Sequence, residues 1–342
     1  MNHVQSIVEP RPSERVLVTG GTGFIGQHLV HALLKRGTSV RVLVRSVGQD
    51  TARALAKRGA ELVVGDVRDA QTLQAALQNV AGVFHLAGRL LVPGVPDAEY
   101  EQIHVTGTRN LLKACIDAEQ LQVIVHCSTT GVLGPTGTTK ATEDAPYNPS
   151  TVYERTKTAG EQIANEIAQR YGLPMRIARP ALVYGPGDLH LLGWFRAIQR
   201  GYYRIVGRGD NVLHPIYIDD LVDGLLRCAA VPTTSGRVYH LVGEQPLSIK
   251  DLAQSIARAV GRPLPRMHLP LSLALSAARV LEALPGIPPA RLPLTRGRVA
   301  FMTQSRAYCG ERAQRELQFA PQTKLEVGLR RTVAWYRSEG LL

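Results

Sequence analysis

Cysteine is scarce in this chain. Cys115, Cys127, Cys228 and Cys309 lie far apart with no CxxC unit among them, which argues against a disulfide framework and a zinc ribbon. They read as buried thiols of a protein kept reduced, so a cytoplasmic location is expected. Aromatic residues make up only 5%, and no basic run is interleaved with them. The net charge of +12 therefore reads as solvated arginines and attraction for an anionic cofactor, with no nucleic-acid partner. Long apolar runs are missing too. The longest strongly apolar stretch, 269–284, contains Arg279 and Glu282, and residues 1–15 are polar, so neither an integral membrane segment nor a signal peptide is expected. There is no solenoid-period repeat and no low-complexity tract. His28 and His31 have no carboxylate or cysteine nearby in sequence, so they read as surface histidines and no metal site is expected.

The chain is organised around VLVTGGTGFIG, residues 16–26. Four residues of high β-propensity run through glycines 20, 21 and 23 into an apolar-periodic segment ending near Lys35, with Gly37 beyond it. This spacing predicts a strand, a tight turn and a helix. Glycine suits a turn where a pyrophosphate approaches the backbone, and the helix N-terminus offers N–H groups to an anion. Gly20, Gly23, Phe24, Ile25 and Gly26 are the candidate contacts. The same glycines, at a spacing that departs from G-x-G-x-x-G, would also suit a turn with no ligand.

Strand and helix patterns then alternate. Strands are expected over 40–45, 61–64, 82–86, 123–127 and 175–178, and helices over 50–58, 70–78, 98–118 and 150–171. This is the α/β class: a doubly wound parallel sheet of the Rossmann kind with a smaller, interwoven C-terminal substrate domain. The expected dinucleotide-binding domain is 1–180, with 212–245 rejoining it, and the substrate domain is 181–342.

Several residues could carry chemistry. Arg45 ends the second strand, where an acidic residue would bind a ribose 2′-hydroxyl; a guanidinium there favours a 2′-phosphate and hence NADP(H). If Arg45 is only a solvated strand end, NAD is also accepted. Asp66 and Val67 follow the third strand, where Asp66 could accept from the adenine amino group or cap the helix near Asp69. Tyr153 and Lys157 share one helix face at i and i+4, so an ammonium can favour phenolate. With 11 tyrosines and seven lysines in 342 residues, only about 0.2 such pairs arise by chance. Thr129, and after it Ser128, could hold a substrate oxygen opposite Tyr153 or merely cap a turn.

TGGTGFIG (19–26), FHLAG (84–88), STTGVLG (128–134), YERTK (153–157), RPALVYGPG (179–187) and PIYIDDLVDG (215–224) together resemble the extended short-chain dehydrogenase/reductase superfamily, NAD-dependent epimerase/dehydratase type. The C-terminal stretch resembles members close to 3β-hydroxysteroid dehydrogenases and dihydroflavonol reductases. The resemblance implies Tyr153 as general acid/base, Lys157 on the nicotinamide ribose, and Thr129 in the usual serine or threonine position. It further implies that Ala87 and Gly88 line the nicotinamide half, that Pro180 and Val183 contact its amide region, and that the protein is a homodimer through the helix carrying Tyr153. His104 departs from the family's common asparagine, and is either part of an altered proton path or a satisfied core histidine.

The expected activity is an NADP(H)-preferring oxidoreductase moving a hydride between nicotinamide and a secondary alcohol or ketone as small-molecule substrate. A nucleotide-sugar 4-epimerase or dehydratase with tightly bound NAD is the alternative, and a cofactor-binding redox sensor is a third reading. Substrate specificity falls to 190–201, Arg208 and 264–298, whose composition fits a ring system, a sugar diphosphate or a lipid.

Overall fold

Strands that are buried on both faces need apolar residues on both, and β1 (Arg15–Thr19) has them. Val16 and Val18 pack into one layer with Leu29, Val30 and Leu221, while Leu17 packs into the opposite layer with Leu73 and Leu111. Burying each such side chain stabilises the fold by about 1.5–3 kcal/mol. The computed structural model describes residues 14–92, 94–137, 139–231, 236–265, 267–284, 292 and 294–342.

After β1 come α1 (Phe24–Lys35), β2 (Ser39–Val44), α2 (Asp50–Lys57), β3 (Glu61–Val64), α3 (Gln71–Leu77) and β4 (Gly82–His85). They are followed by α4 (Asp97–Glu101), α5 (Gly107–Ile116), β5 (Val123–Cys127), α6 (Val152–Tyr171) and β6 (Met175–Pro180). Next are β7 (Leu182–Tyr184), α7 (Leu192–Gln199), β8 (Ile205–Val206), β9 (Val212–Leu213), β10 (Pro215–Tyr217), α8 (Ile218–Ala230) and β11 (Arg237–Leu241). The chain continues through β12 (Leu247–Ser248), α9 (Ile249–Val260), β13 (His268–Leu269), α10 (Leu271–Ala283), α11 (Arg296–Thr303), α12 (Glu311–Leu317) and α13 (Leu325–Ser338).

Seven strands form one parallel sheet in the order β11-β6-β5-β4-β1-β2-β3. Strand order reverses between β1 and β4, so the loops leaving their carboxyl ends diverge and leave a crevice, the usual ligand position in such sheets. The remaining strands form three two-stranded pairs: β10 with β7, β12 with β9 and β13 with β8. Among the described residues, no helix is long and apolar enough to cross a membrane.

Two local expectations change. The helix expected over 98–118 is interrupted at Gln102–Thr106 by a π segment joining α4 to α5. Apolar periodicity does not reveal it, because one wider turn only shifts the phase of the pattern. Cys309 is half-buried, unlike the other three cysteines. In α8 the Asp220 carboxylate accepts from the Gln322 and Thr323 N–H groups, 3.0 and 3.1 Å away, and so ties the approach to α13 onto α8.

Candidate active site

At the crevice, Gly20 (φ +70°) lies so close to the loop after β4 that a Cβ would stand 2.6 Å from the Leu86 carbonyl carbon. A Cβ on Gly26 would meet the Gly20 carbonyl oxygen at 2.2 Å. Glycine is therefore required at both positions by the backbone itself. Gly23 precedes α1, which has no side-chain cap and no acid in its first turn, so the N–H groups at Phe24 and Ile25 are left for an outside anion. This cradle fits a pyrophosphate. Phe24 packs edge-on against His28, and His28 is no free surface residue: its Nε2 donates to the Pro186 carbonyl at 2.8 Å, holding the 184–187 loop beside α1.

Arg45 follows β2 and Asp66 lies just past β3. Arg45 is exposed, and its charge helps to hold the Asp66 carboxyl below the usual range. The larger cause is Arg68, which donates from Nη2 to Oδ2 at 2.6 Å and from Nε and backbone N to Oδ1 at 3.0 and 2.9 Å. Asp66 does not cap α3, which begins after Ala70 with no side-chain cap. Val67 is buried, with its side chain so close to Gly107 that a Cβ there would lie 2.7 Å away.

The Ala87–Gly88 loop rests on a chain of buried hydrogen bonds whose direction can be assigned. Burial lowers the His85 pKa to about 3, so its ring is neutral. Thr108 spends its hydroxyl proton on the His104 carbonyl (2.6 Å), so His85 Nε2–H must donate to Thr108 (3.0 Å) and His85 Nδ1 must accept from Thr19 (2.8 Å). Thr19 in turn accepts the Ala87 N–H at 3.3 Å. His104, also neutral and lowered to about 3 chiefly by burial, accepts the Arg89 N–H on Nε2 (3.0 Å) and donates from Nδ1 to Thr156 (2.9 Å). Both ring nitrogens are satisfied. The π segment brings the His104 carbonyl against α6, where a Cβ on Gly160 would clash with it at 2.3 Å.

α6 begins with a capping box: Thr151 accepts the Glu154 N–H (3.2 Å), and Glu154 accepts the Thr151 N–H (3.0 Å). Glu154 also pairs with Arg306 at 2.8 Å, tying the helix start to the C-terminal part of the chain. Deeper in the helix, buried Glu161 takes a forked contact from Arg179, with Nη2 at 2.5 Å, and a hydrogen bond from Tyr147 at 2.9 Å. Tyr153 is thus carried by a helix fixed at two levels.

Tyr153 lies close enough to Thr129 for that hydroxyl to influence the phenol, and the Thr129 Oγ1 accepts the Gly131 N–H at 3.1 Å. Burial pushes the phenol above its ordinary pKa, while the nearby Thr129 hydroxyl opposes that shift. The Lys157 Nζ donates to the Cys127 carbonyl at 2.7 Å, at the root of the 128–131 loop. Burial lowers the Lys157 pKa. Ser128 Oγ is buried with no partner among the described residues. Pro180 accepts the Thr130 hydroxyl at 3.2 Å, and Val183 lies in β7 opposite Ile216. The structure therefore brings Thr129, Tyr153 and Lys157 to the β5 end, with Ala87 and Gly88 on the neighbouring β4 loop and Arg45 and Asp66 farther along the sheet. The Arg179–Glu161 anchor was not foreseen, although a charged residue inside an otherwise apolar strand is the signal that could have found it.

Residues 16–242 match the NAD dependent epimerase/dehydratase family. A 4-hydroxy-2-methyl-3-oxo-4-farnesyl-3,4-dihydroquinoline-1-oxide ketoreductase from Stigmatella aurantiaca is 30% identical, covering 92% of this chain and 94% of the relative. A 2-alkyl-3-oxoalkanoate reductase from Stenotrophomonas maltophilia (strain K279a) is 31% identical, covering 94% and 98%. Among solved structures, a dTDP-glucose 4,6-dehydratase from Streptomyces venezuelae with NAD and TYD bound superposes with a TM-score of 0.76 at 27% identity, covering 96% of this chain and 100% of that one.

Proposed function

The chain belongs to the NAD-dependent epimerase/dehydratase family, as an enzyme of the extended short-chain dehydrogenase/reductase type, and from that premise we propose that it reduces an apolar ketone, with NADPH preferred over NADH. The observation that carries the reading is the 2.7 Å contact of Lys157 with the Cys127 carbonyl, which holds the helix of Tyr153 against the Thr129 loop at the carboxyl end of β5. A ketone oxygen placed between the two hydroxyls takes a hydrogen bond from Thr129 and the proton from Tyr153. The buried phenol is protonated at neutral pH and so carries the proton that reduction of a ketone consumes. Lys157 sets the electrostatics of the loop through the Cys127 carbonyl and keeps further N–H donors for a ribose. NAD(P), when bound, supplies the hydride.

Gly20, Gly23, Phe24, Ile25 and Gly26 would hold the pyrophosphate, Arg45 the 2′-phosphate, Asp66 the adenine edge, and Ala87, Gly88, Pro180 and Val183 the nicotinamide half. The apolar substrate is supported by the loop beyond Gly88, where Leu90, Leu91 and Val92 are exposed and the Tyr100 hydroxyl fixes the backbone of Val92. It is also supported by the printed activities of the two reductase relatives. A soluble cytoplasmic homodimer, paired through α6, completes the proposal.

The test is a spectrophotometric screen of long-chain 3-oxo esters and nucleotide sugars with both cofactors, alongside release of any retained cofactor from purified protein. Consumption of NADPH with an apolar ketone is expected. Stoichiometric retained NAD with interconversion of a nucleotide sugar would replace this reading by the epimerase or dehydratase one, which the solved NAD complex at a TM-score of 0.76 keeps in view.

A further inference from the structure

α10 turns the wrong side to water. Its inward side is narrow and made of small residues: Ala274 and Ala278 pack against Val206 and Val299. Its outward side carries Leu273 (58% exposed), Val280 (65%) and Leu284 (44%). With exposed Ala277 these positions are spaced i, i+4, i+7 and i+11, which is one stripe along the helix. Met267 and Leu271, near its N-terminal end, are exposed as well, Leu271 off this line. Its two charged residues, Arg279 and Glu282, lie off this stripe, and Glu282 is held by Arg296 at 2.6 Å.

An apolar stripe of this extent marks a contact surface. The charges around it indicate the partner. In sequence, segments 189–210 and 262–298 hold ten arginines against two acids, Asp210 and Glu282. Both acids are already paired, Asp210 with Arg208 at 2.8 Å and Glu282 with Arg296. β8, flanked by Arg204 and Arg208, pairs with β13, which runs directly into α10. A second copy docked about a two-fold axis would set these cations against their own equivalents. An anionic surface complements them.

We propose that the outward face of α10 seats this protein on the surface of an anionic phospholipid bilayer. The helix lies in the interface: Leu273, Val280 and Leu284 enter the acyl boundary and the flanking arginines meet lipid phosphates. At 13 residues it is about 20 Å long, too short to span a bilayer and suited to lying on one. This inference is independent of the ketone reading, since attachment requires no turnover.

Flotation of the full chain with vesicles tests it. Binding to phosphatidylcholine vesicles containing phosphatidylglycerol is expected, with little binding to phosphatidylcholine alone and release by salt. The double variant Leu273→Glu, Val280→Glu should lose about tenfold or more of the binding while keeping its melting temperature and sedimentation coefficient. Leu284→Trp, which keeps the stripe apolar, should show a blue-shifted emission on adding the anionic vesicles, and it decides the matter if the double variant does not fold. Absence of flotation by the wild type, equal flotation of the double variant, or an unshifted Leu284→Trp spectrum would overturn the proposal. So would a wild-type oligomer that dissociates in the double variant, which would assign the stripe to a second copy.

Discussion

His104 donates from Nδ1 to the Thr156 hydroxyl at 2.9 Å, and Thr156 donates at 2.9 Å to the carbonyl of Val152, the residue before Tyr153. Through Nε2 the same ring holds the Arg89 N–H of the β4 loop. One side chain thus links the expected nicotinamide loop to the helix that carries Tyr153. His104→Phe keeps a ring but leaves the Arg89 N–H without its partner, at a cost of about 1–3 kcal/mol. Its kcat should fall while the Kd for cofactor changes little; unchanged kcat in a stably folded variant would remove the positioning role.

The same burial governs acid stability. His85, His104 and His240 are lowered to about 3 and His214 to about 4, all chiefly by burial. Each stays neutral in the folded chain but binds a proton below about 6.5 once unfolded. The unfolded state therefore takes up more protons between those values, and stability must fall as pH drops from about 6.5, by up to about 1.4 kcal/mol per pH unit for each histidine. His126 is also lowered well below the usual histidine value, and both of its ring nitrogens lack a partner among the described residues. Urea unfolding should show a shallower acid loss for His126→Leu than for the wild type. An identical slope would mean that His126 does not titrate on unfolding.

Tyr153→Phe removes the proposed proton donor but leaves the ring edge-on to His104, whose centroid lies 5.6 Å away. Turnover should fall by about 100-fold or more, with cofactor binding retained. Isothermal titration with NADPH beside the kinetic assay separates these effects, and undiminished turnover would eliminate Tyr153 as the acid.

Much of this site was legible in the residues. Alternating strand and helix patterns locate the sheet, and the glycine run locates the turn at Gly20, because both depend on local backbone preferences. The i, i+4 relation places Lys157 on the Tyr153 face, but it does not show where a flexible ammonium points. In the structure it turns to the Cys127 carbonyl. The π segment at His104 and the His28–Pro186 bond depend on what packs from elsewhere in the chain, and no local pattern encodes that.

Arg45 is exposed and near enough to Asp66 to influence its charge. Arg45→Asp exchanges the proposed 2′-phosphate donor for a repulsive carboxylate. NADPH affinity should fall by about 10-fold to 100-fold, the worth of a charge-assisted hydrogen bond, while NADH affinity holds or rises. Equal loss for the two cofactors would show that Arg45 does not read the 2′ position.

Glu161 and Arg179 are both fully enclosed, with side-chain exposures of 0% and 3%. The guanidinium also donates to the Glu143 carbonyl at 3.0 Å, so it is fixed on more than one side. Glu161→Leu would leave that charge buried and take away the acceptor of the Tyr147 hydroxyl. Breaking a buried pair from one side costs about 3–5 kcal/mol, more than the pair adds relative to an apolar replacement of both partners. Denaturant titration should therefore show a large loss for Glu161→Leu and a smaller one for Glu161→Leu combined with Arg179→Met. If the double variant is no more stable than the single, the two side chains are not energetically coupled, and the anchor between α6 and β6 must lie elsewhere.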